Sequence, residues 1–175
     1  MIRIACMTAL ILLNFVLQST ILVRFSILGV GPDTALIFIV SYGILRGDVE
    51  GAIFGFFAGL TQDIFGSHFI GLYAMLGMIV GFIAGKPFRD YFKDNYLLPF
   101  VIVILATVAH QFVFFFINFL LTLRSSNNFW FYSVSIILPK TIYTAVIAVP
   151  LYIMMYFIND RIEGFEHNRR NLFTE

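Results

Sequence analysis

The chain has 175 residues, 60% of them hydrophobic and 12% charged, against about 25% charged in an ordinary soluble domain. A mean hydropathy of +0.92 and long runs free of charge exclude a soluble globule and leave no room for a second, soluble domain. The net charge of +1 is spread between apolar runs, so there is no basic face for nucleic acid. A single cysteine, Cys6, excludes an internal disulfide and a thiolate metal site.

Ile4 to Val23 is apolar and about 30 Å long as a helix, enough to cross the hydrocarbon core. It follows Arg3 and lacks a small-x-small cleavage signal, the pattern of a retained anchor. Pro32 and Asp33 mark the start of a second helix, because Pro is tolerated in a first turn and an acid favours it. Its apolar part, Thr34 to Leu45, measures about 18 Å and ends at Arg46, Asp48 and Glu50, which is short for a span. Val49 to Phe65 and Phe69 to Gly85 follow, each about 25 Å long. Tyr96 to Leu123 and Phe129 to Ile158 reach about 42 and 45 Å, lengths that call for tilt, projecting ends or kinks. Pro139 and Pro150 are the kink sites in the last run. The second and third runs either span separately or fold back as a re-entrant hairpin.

Charge asymmetry separates the two topologies. Six spans with both termini in the cytoplasm place Arg3, Arg46, Lys86, Arg89, Lys93, Arg161, Arg169 and Arg170 inside. Arg24 and Arg124 then lie outside and Lys140 within the membrane, eight positive residues against two. We therefore expect an all-α, polytopic bundle of six transmembrane helices over residues 1–158, with a short polar cytoplasmic tail over 159–175. Lys86, Arg89 and Lys93 alternate with Phe88, Tyr91 and Phe92, an interfacial pattern suited to lipid headgroups.

Of 13 glycines, 12 lie between Gly29 and Gly85, so the two halves are built differently. Gly51, Gly55 and Gly59 recur every fourth residue with Asp63 next at the same interval, and Gly77, Gly81 and Gly85 repeat the device. Such stripes lie on one helix face and let backbones approach where lipid offers no hydrophobic drive for association. Packing of the third helix on the fourth is the ordinary reading; a partner helix on one stripe is the other.

Asp63 is an acid inside an apolar run and must face protein or water. It is placed to accept hydrogen bonds from the short turn or to cap the fourth helix. Lys140 is the matching cation, with Asp63 as its expected partner and Asn14, Gln18 or His110 as polar alternatives. His110 shares a broad face of the fifth run with Thr107, Gln111 and Asn118, the pattern of an interhelical hydrogen-bonding contact. His68, His110 and His167 fall in separate segments with no second ligand at i+3 or i+4, which gives no metal site. No His-Glu-x-x-His, Gly-x-Ser-x-Gly, second membrane aspartate paired with Asp63, or phosphate-binding loop occurs. No catalytic residue, metal or cofactor is therefore expected.

The ordered set Pro32-Asp33, Gly51, Gly55-Phe56, Gly59-Leu60, Asp63, Gly71-Leu72, Gly81-Phe82 and Gly85 resembles the bacterial rod shape-determining protein MreD family. The signature covers about a third of the chain, from the second to the fourth run, and length and span number agree over the rest. The resemblance implies a non-enzymatic inner-membrane scaffold of the elongation complex that supports cell shape and lateral peptidoglycan synthesis. Its implied partners are a single-span MreC-like scaffold, MreB, RodA with its transpeptidase, and membrane lipid. The family is also similar in fold to the six-helix substrate-binding subunits of energy-coupling-factor vitamin transporters, which defines the alternative function. Ala5 and Ala9 resemble the alanine motif of those subunits. Against that alternative, the expected outer loops are short and hold few convergent polar groups, which a small-molecule pocket needs.

Overall fold

The computed structural model describes residues 2–18, 31–66, 71–86, 97–122 and 136–172, and their regular structure is helical throughout. The helices are α1 (Ile2–Val16), α2 (Thr34–Arg46), α3 (Asp48–Gly66), α4 (Leu72–Gly85), α5 (Leu97–Thr122) and α6 (Leu138–Leu172). Each falls on one of the six apolar runs. Pro32 precedes the cap of α2 instead of lying in its first turn. α6 passes residue 158 and carries the polar segment on as helix to Leu172, with Pro150 in its interior. Arg24, His68, the interfacial Arg89 and Lys93 with Phe88, Tyr91 and Phe92, Arg124, and the start of the sixth run at Phe129 lie outside the described residues.

The packing is inverted relative to a soluble domain. Asn14, Asp33, Thr34, Ser41, Asp63, Thr107, His110, Gln111 and Thr144 are buried, whereas Leu12, Ile53, Phe57, Ile64, Met75, Ile83, Leu105, Phe112, Val146 and Phe157 are exposed. Polar groups turned inward and bulky apolar groups turned outward suit a surround of hydrocarbon. Two helical stretches, Pro99–Ile117 and Leu138–Arg161, are long and apolar enough to cross a membrane.

At the centre is α2, buried from Thr34 to Leu45 and in contact with all five other helices. Its 13 residues measure about 20 Å, less than the roughly 30 Å of a hydrocarbon core. Phe38, Ile39, Tyr42 and Leu45 pack on one side with Leu10, Phe54, Ala58 and Met155. Ile37, Val40 and Ile44 pack on the other with Ala84, Val103, Ala106 and Ala148. The Tyr42 and Phe54 rings stack at 4.6 Å.

α2 turns into α3 through Gly47, whose φ of 103° and ψ of −179° fall in a region that is essentially open to glycine alone. The Gly47 N–H donates to the Gly43 carbonyl at 2.8 Å and the Gly51 N–H to the Gly47 carbonyl at 2.9 Å. Arg46 closes α2 and Asp48 and Glu50 open α3, each charge at the helix end whose dipole it offsets. The chain reverses here, so the start of α2 lies beside the end of α3.

The glycine stripes meet each other. A Cβ on Gly55 would collide with the Gly77 carbonyl and one on Gly59 with the Tyr73 carbonyl. Gly81 faces the Gly51 carbonyl in the same way, and Gly85 faces Gly47 and Asp48. Gly43 of α2 joins them, with the Gly81 oxygen 2.7 Å from where its Cβ would stand. Three helix backbones thus touch with no side chain between them, and the stripes are filled from within the chain, leaving no face on them for a partner helix.

Candidate functional site

Asp33, Gln62, Asp63, Lys140 and Thr144 gather at the end of the bundle opposite Gly47, where α2, α4 and α6 begin and α3 ends. Asp33 is the N-cap of α2 and accepts from the Leu36 N–H at 3.2 Å. Its own N–H donates to the Thr144 hydroxyl of α6 at 3.1 Å. Its Oδ2 is 3.3 Å from the Lys140 ammonium, and its Oδ1 also accepts from the Gln62 amide at 3.4 Å. Gln62 donates in turn to Gln18 Oε1 at 3.4 Å. A single carboxylate therefore joins α2 to α3 and α6, and through Gln62 to the residues just past α1.

The expected Asp63–Lys140 pair does not form; Lys140 pairs with Asp33. Helix starts decide this, because Lys140 lies two residues into α6 and α6 begins beside the start of α2. Asp63 serves the next helix instead. Its Oδ1 accepts from the Tyr73 N–H at 3.1 Å and its Oδ2 from the Ala74 N–H at 2.9 Å. The N-cap of α4 is Gly71, with φ 99° and no side chain to cap with. Asp63 supplies the missing cap from α3, filling two orphan donors and placing a negative charge at the positive helix end.

On α5, Thr107, His110 and Gln111 are buried. Thr107 closes on its own helix by donating to the Val103 carbonyl at 2.7 Å. The His110 ring sits 5.0 Å from the Tyr73 ring at 48°, on the residue whose N–H donates to Asp63. His110 Nδ1, Asn14 Oδ1 and Thr34 Oγ1 are buried and have no hydrogen-bond partner among the described residues. The side chain of Asn118 lies outside the described residues, as does that of Ala5; Ala9 is exposed.

Thus Asp33, Asp63, His110 and Lys140, noted separately in the sequence, share one neighbourhood, while Gly51, Gly55, Gly59, Gly77, Gly81 and Gly85 form the frame beside it. The parts of the site that sequence reasoning missed are the role of Asp33 as an ion-pair partner and the linking roles of Thr144 and Gln62. A Pro-Asp start shortly before a fully apolar helix was the available signal for Asp33. Among the described residues no group of three or more His, Cys, Asp or Glu could hold a metal ion.

The capping geometry makes a direct prediction. Asp63→Asn keeps the shape but offers one acceptor oxygen to two N–H donors and no charge, so about 1.5–3 kcal/mol of stability is expected to go. Thermal unfolding of the purified protein in detergent measures it, and an unchanged midpoint would remove Asp63 as the cap of α4.

A family model for rod shape-determining protein MreD matches residues 1–160 of the chain. No curated protein and no solved structure matches it.

Proposed function

Because the chain belongs to the MreD family of rod shape-determining proteins, we propose that it acts in shape determination as a non-enzymatic scaffold of the elongation complex. In this reading it is a multi-pass protein of the bacterial inner membrane with both termini in the cytoplasm. It docks the membrane helix of a single-span MreC-like partner and thereby supports lateral peptidoglycan synthesis, with MreB, RodA and its transpeptidase in the same assembly. The observation that carries the scaffold role is the distribution of side chains: Asp33, Asp63, Thr107 and Thr144 are spent on internal bonds, and bulky apolar residues cover the outside of every helix except α2. Such a surface meets lipid or another membrane helix.

The glycine stripes are occupied internally, so a partner helix docks on branched and aromatic side chains, held by packing and interhelical hydrogen bonds. The polar cluster favours a second reading, a substrate-binding subunit similar to those of energy-coupling-factor vitamin transporters. Mild crosslinking in native membranes followed by mass spectrometry of what co-purifies with the tagged chain separates the two. Recovery of an MreC-like protein and cell-wall synthases is the expected result. Recovery of a transporter's transmembrane subunit with its ATPases would overturn it.

A further inference from the structure

The helices differ in how much hydrocarbon their outward faces can meet. α5 runs 26 residues from Leu97 to Thr122 with no charged residue, about 39 Å upright and still about 30 Å at a tilt of 40°, the steep end of the range for membrane helices. On α6 the exposed apolar residues extend from Leu138 to Phe157, about 28 Å. The face made by α3 and α4 is shorter. α4 has 14 residues, about 21 Å, and charge bounds it at both ends. Asp63 holds the Tyr73 and Ala74 N–H groups at its start, and at its end the exposed Lys86 lays its ammonium 4.6 Å from the centre of the Phe82 ring. Asp48 and Asp63 bound α3 about 22 Å apart.

The two faces can be aligned in height. Tyr73 donates to Asp63 and sets its ring against that of His110, so Asp63 and His110 stand at about one level. From there α5 continues for twelve residues to Thr122, about 18 Å, whereas α3 continues for three to Gly66, about 4 Å, before the chain turns back into α4. The ion pair lies at the same level, since Gln62, next to Asp63, donates to Asp33. A flat bilayer fitted to α5 would sink this level near its middle, where charge is costly, yet 18% of the Lys140 side chain is open.

We propose that the α3–α4 face holds a thinned patch of bilayer, its hydrocarbon roughly 5–10 Å thinner than the 30 Å met by α5 and α6, with the water boundary drawn in to the level of Asp63 and Lys140. Lipid is the occupant because the side chains exposed there, such as Ile53, Phe57, Met75 and Ile83, are bulky, while the small residues that let helices close on one another face inward. The proposal rests on the membrane placement given above and is independent of any partner.

The test uses the full chain with Cys6→Ala, reconstituted alone in phosphatidylcholine vesicles and labelled with bimane at Ile64→Cys on α3 or Phe112→Cys on α5. Both positions are exposed and lie close to the aligned level. Depth is read from quenching by a headgroup nitroxide against quenching by a nitroxide near the end of the acyl chain. The Ile64 label is expected to lie at least about 5 Å shallower than the Phe112 label, following the unequal lengths of helix beyond that level. Equal depths would overturn the proposal. Weak quenching at Phe112→Cys by both nitroxides, the sign of a second copy covering α5, would also overturn it. Phe57→Cys, two turns inward from Ile64 on the same face of α3, identifies failure of the membrane placement itself. Its label should respond chiefly to the acyl-chain nitroxide; if neither nitroxide reaches it, the placement falls and the proposal with it.

Discussion

Gly55→Ala is expected to destabilise the bundle by about 3 kcal/mol, the upper end of the usual range for overpacking, and Gly55→Leu to prevent accumulation of folded protein. The reason is that the colliding atom is the Cβ itself, which meets the Gly77 carbonyl. Neither partner can give way as a flexible side chain would, because the obstacle is the backbone of α4. Separating α3 from α4 to admit a methyl group would also open the contacts at Gly51–Gly81 and Gly59–Tyr73. Thermal unfolding and gel-filtration yield in detergent measure the effect. Two substitutions calibrate it. Phe57→Leu, on the exposed side of α3, should behave as wild type. Gly71→Ala has open space around its Cβ but a φ of 99°, and should cost about 1–2 kcal/mol through backbone strain alone. Wild-type behaviour of Gly55→Ala would disprove the close approach of the two helices.

Lys140→Met is expected to cost about 3–5 kcal/mol, because removing the half-buried ammonium leaves the buried Asp33 carboxylate uncompensated. Asp33→Asn should cost less, since the Lys140 it strands is partly open, while keeping an oxygen for the Leu36 N–H, so that loss of the cap is not confused with loss of the charge. Combined, the two should cost much less than their sum, since neither charge is then stranded. Asp63→Asn with Lys140→Met should instead be additive, because Asp63 serves α4 and does not pair with Lys140. Unfolding midpoints of the single and double variants decide between the two pairings. Coupling through Asp63 and additivity through Asp33 would invert the assignment.

The contrast between Asp63 and Lys140 shows what the sequence could convey. The fourfold glycine interval is a property of one helix, and a face so uniformly small can be filled only by another backbone, so the meeting of α3 and α4 was legible. Asp63 sits between such a face and a short turn, and capping of the next helix was legible for the same local reason. The partner of Lys140 was not. It depends on α6 starting beside α2, with Asp33 and Lys140 107 positions apart in the chain, and estimates of membrane depth place several polar residues equally well. Gly43 was missed too, because its contact with Gly81 joins a third helix to the pair and no interval within α2 announces it. The boundary at residue 158 marked a change from apolar to polar residues, but the backbone continues as helix; charge ends the hydrocarbon contact without ending the hydrogen-bond ladder.

The enclosure of α2 bears on how the molecule is made. Residues 34–46 emerge from the ribosome ahead of α3 to α6, yet in the finished bundle nothing from Thr34 to Leu45 faces outward. The segment must first be sheltered by lipid or by the insertion machinery, then surrender that contact as the later helices close around it. α6, synthesised last, brings both Lys140 and Thr144 to Asp33, and so acts as the latch that completes assembly. A chain stalled before residue 138 would expose a strip of its own core and leave a lone carboxylate at the head of α2, the kind of defect that membrane quality control can detect.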